Sequence, residues 1–443
     1  MTEKVTKLAL VSRVFVMVLQ LLANKLIPDH KPDVFRAPLQ TDERITWLDK
    51  TITFALNGFR HWDGEYFLHI AEYGYTYENT LAFYPLYPMM VKSGAYGVNF
   101  VLGNFMNMRS CCLLVGVVLN VALFCKAANI LYALTQRIFN DLNKSWNVVL
   151  LFCFNPASIF FTAAYSETIF CLLSLYVMLE CSCQIRVVRA GAALAFSVAA
   201  RSNGLVNLGF PIYFLVRKFI LKQSTLVRTL MKVLFCVLLS LAPLTFFNFY
   251  AFRQFCGIDK PSNHSETIVS YARERKYVLS GYRYGEQSPW CDDSFPFPYS
   301  YIQSHYWHVG FLKYYQWKQI PNFMLASPIL LFMLWHCVKY LYNFLATLLP
   351  KYPLFYLVKE YKTLPYIIHA FALTLFCLFF VHIQISTRLL CSATPCIYWF
   401  ASDYMPKSFD KFELRSKAGL IFLWFGSYVF VGTVMFSNNL PWT

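Results

Sequence analysis

Apolar stretches separated by short polar or basic segments recur along the whole chain. Leu8–Ile27 is the first, followed by Cys111–Leu134, Asn147–Ala163, Glu167–Cys183, Ala190–Ala200 and Leu205–Val216. Val233–Phe252, Phe323–Leu345, Leu364–His382, Leu389–Ala401 and Ala418–Phe436 complete the series. A helix needs ~20 apolar residues to cross ~30 Å of hydrocarbon, so the pattern predicts an all-α polytopic membrane protein with about 11 transmembrane helices. Ala190–Ala200, Leu205–Val216 and Leu389–Ala401 fall short of that length, and must lean on neighbouring helices or border a water-filled cavity. Leu81–Gly103 is apolar but broken by Pro85, Pro88 and several glycines, which predicts an interfacial helix. The basic segment Met1–Lys7 precedes the first span and no small-residue cleavage site follows it, which predicts an uncleaved signal anchor.

Composition supports this class. The 443 residues are 57% hydrophobic and 14% charged, with a mean hydropathy of +0.44. A net charge of +16 would suit nucleic acid, but many of the bases sit in short clusters between apolar runs. That distribution favours a membrane and no nucleic acid.

The basic loops Arg137–Lys144, Arg186–Arg189, Arg217–Lys232, Lys351–Lys362 and Lys407–Lys417 all fall on the cytosolic side when crossings are counted from a cytosolic N-terminus. The opposite face then collects Asp63, the Asn155–Glu167 turn, Arg201-Ser202-Asn203, and Gln384–Arg388. The chain reads as a single integral membrane domain over 1–443. It has a first luminal loop over 28–110, carrying interfacial helices, and a second large one over 253–320.

The first loop contains His61-Trp62-Asp63-Gly64-Glu65-Tyr66-Phe67, with carboxylates among aromatic rings just past a membrane crossing. A carboxylate within hydrogen-bond reach can take the proton of a sugar hydroxyl, and flat rings suit the C–H faces of a pyranose. Asp63 is the candidate base. The competing reading is an interfacial aromatic belt with a solvated acid. Arg201 and Arg388 lie within a few residues of apolar span, where an unpaired arginine is costly. The arginine fork suits a phosphate leaving group, with His382 or Gln384 assisting; snorkelling to headgroups is the alternative. No glycine-rich phosphate loop or ligand-spaced Cys/His cluster is present, and Asp292-Asp293 reads as solvated. Cys256 and Cys291 share the oxidising loop and are candidates for a disulfide. Of two sequons, Asn263 is luminal and the glycosylation candidate, whereas Asn143 is cytosolic.

These segments resemble the second GPI mannosyltransferase, the phosphatidylinositol-glycan class V family. The likeness is carried by His61-Trp62-Asp63 through Phe67, Ala71-Glu72-Tyr73-Gly74-Tyr75 and Ala82-Phe83-Tyr84-Pro85. Asn155-Pro156-Ala157-Ser158, Tyr165-Ser166-Glu167, Ala200-Arg201-Ser202-Asn203-Gly204 and Leu440-Pro441-Trp442-Thr443 extend it, in order, to the C-terminus. The resemblance implies a GT-C type glycosyltransferase, multi-pass in the endoplasmic reticulum membrane, with its active face luminal. It implies a dolichyl-phosphate mannose donor, a GPI precursor acceptor, α-1,6 transfer with inversion, and no cofactor or obligatory metal. Asp63 takes the family's first-loop acid position. Further substrate-binding candidates are His61, Trp62, Tyr66, Phe67, Glu72, Tyr84, Asn155, Glu167 and Asn203. A small membrane helper subunit is compatible with this reading. The competing classes are a lipid or solute transporter or scramblase, and a non-catalytic assembly subunit.

Overall fold

The computed structural model describes residues 1–31, 33–38, 45–183, 186–257, 264–281, 288–406 and 413–442. Among these, no β-strand occurs and eighteen α-helices do. They are α1 (Thr2–Leu26), α2 (Trp47–Leu56), α3 (Asp63–Tyr73), α4 (Leu86–Leu102), α5 (Met108–Phe139) and α6 (Leu142–Cys153). Next come α7 (Glu167–Ser182), α8 (Val187–Ala200), α9 (Gly209–Ile220), α10 (Leu226–Phe255), α11 (Glu266–Arg275) and α12 (Pro298–Trp307). The remainder are α13 (Ile320–Tyr342), α14 (Leu354–Glu360), α15 (Leu364–Phe379), α16 (Ser386–Ala393), α17 (Cys396–Ser402) and α18 (Lys417–Ser437).

Among the described residues, five helices are long and apolar enough to cross a membrane: α1, α5, α10, α18, and α13 with its flanking turns (Trp317–Leu348). Two shorter apolar helices, α8 and α15, accompany them. The protein is therefore multi-pass, and a count of about eleven crossings would rest on helices shorter than a bilayer. The bundle centres on α5, which packs against α1, α4, α6 and α7. Around it α7 packs on α8, α8 on α10, α1 on α18 and α13 on α15. Polar residues mark where several of these helices begin. Asn107, Asp141, Thr225 and Ser416 cap α5, α6, α10 and α18 through side-chain oxygens, each satisfying an amide that the first turn leaves unpaired.

Two of the expected spans are broken. Asn147–Ala163 is helical only to Cys153. Pro156 disfavours helix at the residue before it, and Asn155 uses its amide to turn the chain, donating to the Phe152 carbonyl (2.8 Å) and accepting from the Ala157 amide (2.8 Å). The irregular segment 154–166 that results, with one 3-10 turn at Ser158–Phe161, is almost entirely buried. Leu389–Ala401 is likewise split into α16 and α17, because Pro395 forces Thr394 into extended backbone at φ −138°, ψ 139°. Leu81–Gly103 contains a 17-residue helix, α4, packed along α5.

The two large loops close on each other. Tyr77 pairs with Leu279 in an isolated antiparallel bridge. The buried Glu78 carboxylate accepts from Ser288, Trp290 Nε1 (2.7 Å) and Tyr306 Oη (2.9 Å). Cys256 and Cys291 are disulfide-bonded, with α-carbons 5.6 Å apart.

Candidate functional site

Four separate parts of the chain bring two acids and two arginines together. Asp63 and Glu167 are the first residues of α3 and α7, where the helix dipole favours a carboxylate. Arg388 Nη1 lies 2.6 Å from Asp63 Oδ2 and 3.6 Å from Glu167 Oε1. Arg201 Nη1 lies 2.5 Å from the same Glu167 oxygen. Glu167 is fully buried, and its other oxygen has no hydrogen-bond partner. The four charges cancel, which is how such a group is held in an apolar bundle. The Asp63 side chain keeps 28% of its surface exposed, against 12% for Arg388 and 19% for Arg201, so the acid is the most accessible member of the cluster and both cations keep a partly accessible edge.

The bend that presents Asp63 is fixed from the backbone. Its amide donates to Tyr165 Oη (2.9 Å), and that hydroxyl donates to the His61 carbonyl (3.2 Å). Trp62 is held at φ 56°, ψ −124°, a conformation that a bulky residue adopts only when its surroundings over-determine it. A Cβ on Gly64 would come within 3.3 Å of the Phe59 carbonyl and 3.4 Å of the Tyr165 ring, so glycine permits this close approach.

The aromatic rings divide into wall and opening. Tyr66 is stacked between Phe35 (4.2 Å between centroids) and Phe83 (4.5 Å). Phe67 is 4% exposed and packs edge-on against Phe83 and Tyr87. Neither offers a free face to a sugar, which corrects that expectation: a ring on an amphipathic helix packs inward once loops cover it. Trp62 stays half-buried with its indole N–H unbonded. Trp307 is half-buried near Tyr66 and Phe83 at 6.0 and 6.1 Å. Trp307 is thus packed into the same ring cluster, whereas Trp62 has no stacked ring among the described residues.

A second charged cluster gathers around Glu65 of α3. Arg60 grips buried Glu65 with both Nε (2.7 Å) and Nη2 (3.1 Å), and Arg109 approaches it to 3.6 Å. Burial pushes the Glu65 carboxyl up, but Arg60 and then Arg109 outweigh it and hold it below the usual carboxylate range. Glu72 lies in the field of Arg60 and Arg109, so it belongs to this cluster. Burial lowers the His61 pKa, with Asp29 opposing; its ring meets the Phe436 carbonyl (3.2 Å) and Asp29 (3.8 Å).

A family model described as mannosyltransferase (PIG-V) matches residues 2–443. The chain belongs to that family. It is 53% identical over 451 residues to the Drosophila melanogaster protein named GPI mannosyltransferase 2, covering 100% of both chains. It is 32% identical over 500 residues to the Homo sapiens protein named GPI alpha-1,6-mannosyltransferase 2, covering 100% of this chain and 98% of that one. An Archaeoglobus fulgidus oligosaccharyltransferase structure aligns over 97% of this chain and 53% of its own, at 11% identity and a TM-score of 0.40. A likeness that loose supports no argument about the fold.

Within this family member, the remaining candidates fall in different places. Asn203 lies two residues beyond Arg201, in the 3-10 turn Ser202–Leu208, with its amide nitrogen buried and unpaired. His382 packs at a tilt against Tyr314 (4.5 Å between centroids) and, like Gln384, sits in the turn leading into α16. Asn155 is spent on the turn described above. Tyr84 is 3% exposed and packs on Phe247 and Tyr299. Asn263 lies outside the described residues, Asn143 is exposed in the first turn of α6, and Asp292 and Asp293 are exposed. Sequence reasoning missed Tyr165 as the group that fixes the Asp63 bend, Trp307 and Glu78 in the loops, and Arg13 within α1. Only Arg13 carried a signal, as an arginine inside an apolar span.

Proposed function

We propose that this PIG-V family member transfers mannose from dolichyl-phosphate mannose to the GPI precursor in α-1,6 linkage, on the luminal face of the endoplasmic reticulum membrane. The observation that carries the reading is the partly exposed Asp63 carboxylate backed by Arg388, Arg201 and Glu167. The names of the relatives supply the sugar and the acceptor class, and the family resemblance supplies the donor and the GT-C type.

In this mechanism the acceptor hydroxyl lies against Asp63. As its oxygen bonds to the anomeric carbon, Asp63 takes the proton. The bond from that carbon to the donor phosphate breaks on the opposite side, and Arg388 and Arg201 neutralise the departing phosphate. One in-line displacement inverts the configuration. Trp62 offers its ring to the sugar, and Asn203 offers its unpaired amide. Glu167 holds both guanidinium groups in place until phosphate competes for them.

The test is a mannosyl-transfer assay on defined GPI intermediates, with wild type and Asp63→Asn side by side. The variant keeps the shape of the side chain but cannot accept the proton, so turnover should fall by about 10²–10⁴-fold at normal expression. Near-normal turnover by well-folded Asp63→Asn protein would remove Asp63 from this role.

A further inference from the structure

Arg13 is fully buried in α1, inside an apolar span, and among the described residues no carboxylate pairs with it. Its guanidinium spends its donors on the irregular segment instead. Nη1 donates to the Ser158 carbonyl (2.7 Å) and Thr162 Oγ1 (3.1 Å), and Nη2 to the Cys153 carbonyl (2.7 Å) and Ser158 Oγ (2.6 Å). Nε reaches Ser12 Oγ (3.3 Å), and the cation lies 4.0 Å from the Phe124 ring centroid.

Non-helical backbone inside a membrane bundle is tolerated only where its polar groups find partners. α6 stops at Cys153, so the carbonyls of its last turn have no helical donors. A planar fork can satisfy the end of α6 and the following 3-10 turn together. From the other side, Asn120 Nδ2 donates to the Ala163 carbonyl (2.5 Å) and the Tyr165 carbonyl (3.0 Å). The Ala164 amide donates to the Phe59 carbonyl (3.0 Å), just before the Asp63 bend. The segment so clamped ends in Tyr165, which holds the Asp63 amide, and in Glu167, which holds both arginines.

We propose that Arg13 is a positioning residue, whose grip on Cys153, Ser158 and Thr162 sets the place of Tyr165 and Glu167 and, through them, of Asp63 and Arg388. This rests on the reading of the site given above. A displacement of ~1 Å at reacting groups can cost ~10²-fold in rate. Arg13→Lys keeps the charge but loses the fork, so it cannot span both carbonyls.

The experiment compares full-length wild type, Arg13→Lys and Ser158→Ala/Thr162→Val in lipid nanodiscs, by transfer kinetics per folded molecule and by amide hydrogen exchange over 154–167. For Arg13→Lys, turnover should fall about 10–100-fold while KM for either substrate stays within about threefold, and exchange in the segment should quicken. A purely structural role would lower the yield of folded protein and leave turnover per folded molecule intact, which overturns the proposal. If Arg13→Lys does not fold, the Ser158→Ala/Thr162→Val pair decides: reduced turnover supports the proposal and wild-type turnover overturns it. If wild type itself transfers nothing, the functional reading fails separately. Unchanged exchange in the substituted proteins would then still refute Arg13's hold on the segment.

Discussion

Glu167→Gln is the sharpest perturbation of the charge cluster, because it removes one charge and almost no volume. In the wild type Glu167 is fully buried and meets Arg201 at 2.5 Å and Arg388 at 3.6 Å. At an effective dielectric of about 20, these contacts are worth roughly 5–7 kcal/mol each before desolvation. Much of that repays the burial of the charges. Removing one partner of a buried pair typically costs about 3–5 kcal/mol, because the other charge stays behind uncompensated. With a specific unfolding entropy near ~2.1 cal/mol/K per residue, that loss lowers Tm by about 3–5 °C in a chain this long. Thermal unfolding followed by fluorescence-detected size exclusion would read it. The double substitution Glu167→Gln/Arg201→Gln removes both partners, so its loss should be smaller than the sum of the single losses by more than about 2 kcal/mol. A Glu167→Gln protein as stable as wild type, or strictly additive losses, would refute the cluster as an electrostatic unit.

Three further outcomes follow from the geometry. Arg388→Lys keeps a charge beside Asp63 but loses the planar fork, so it should weaken use of the donor more than of the acceptor; unchanged donor kinetics would make Arg388 purely structural. Cys291→Ser opens the link to Cys256 across a sequence separation of 35 and should cost about 3 kcal/mol; equal melting of the variant and wild type, both unreduced, would contradict this. Glu65 is held below its ordinary pKa in the folded state, so its contribution to stability is complete above the unfolded value of ~4.3. That contribution is lost as pH falls through the folded pKa, where both states are protonated. Glu65→Gln should therefore be less stable than wild type at neutral pH, with the gap narrowing on acidification below about 4; a gap independent of pH would show that the carboxylate charge contributes nothing.

The recurring apolar runs determined by themselves that this is an all-helical multi-pass protein, because hydrocarbon admits little else. They also placed Asp63, Glu167, Arg201 and Arg388 on one face, since turns between helices are local in sequence and loop charge sets their side. Helix ends written in short-range chemistry, such as the caps at Asn107 and Ser416, were open to the same reading. The breaks inside two expected spans were signalled by Pro156 and Pro395, but an apolar run outweighs a single proline in any count of hydrophobicity. Only the tertiary structure decided which arginine meets which acid: Arg388 with Asp63 and both arginines with Glu167. It also decided that Tyr66 and Phe67 form a wall while Trp62 stays half-buried without a stacked ring, and that an arginine of α1 supports a turn 145 residues away. Such pairings depend on how helices far apart in sequence pack side by side, and composition and periodicity do not carry that information.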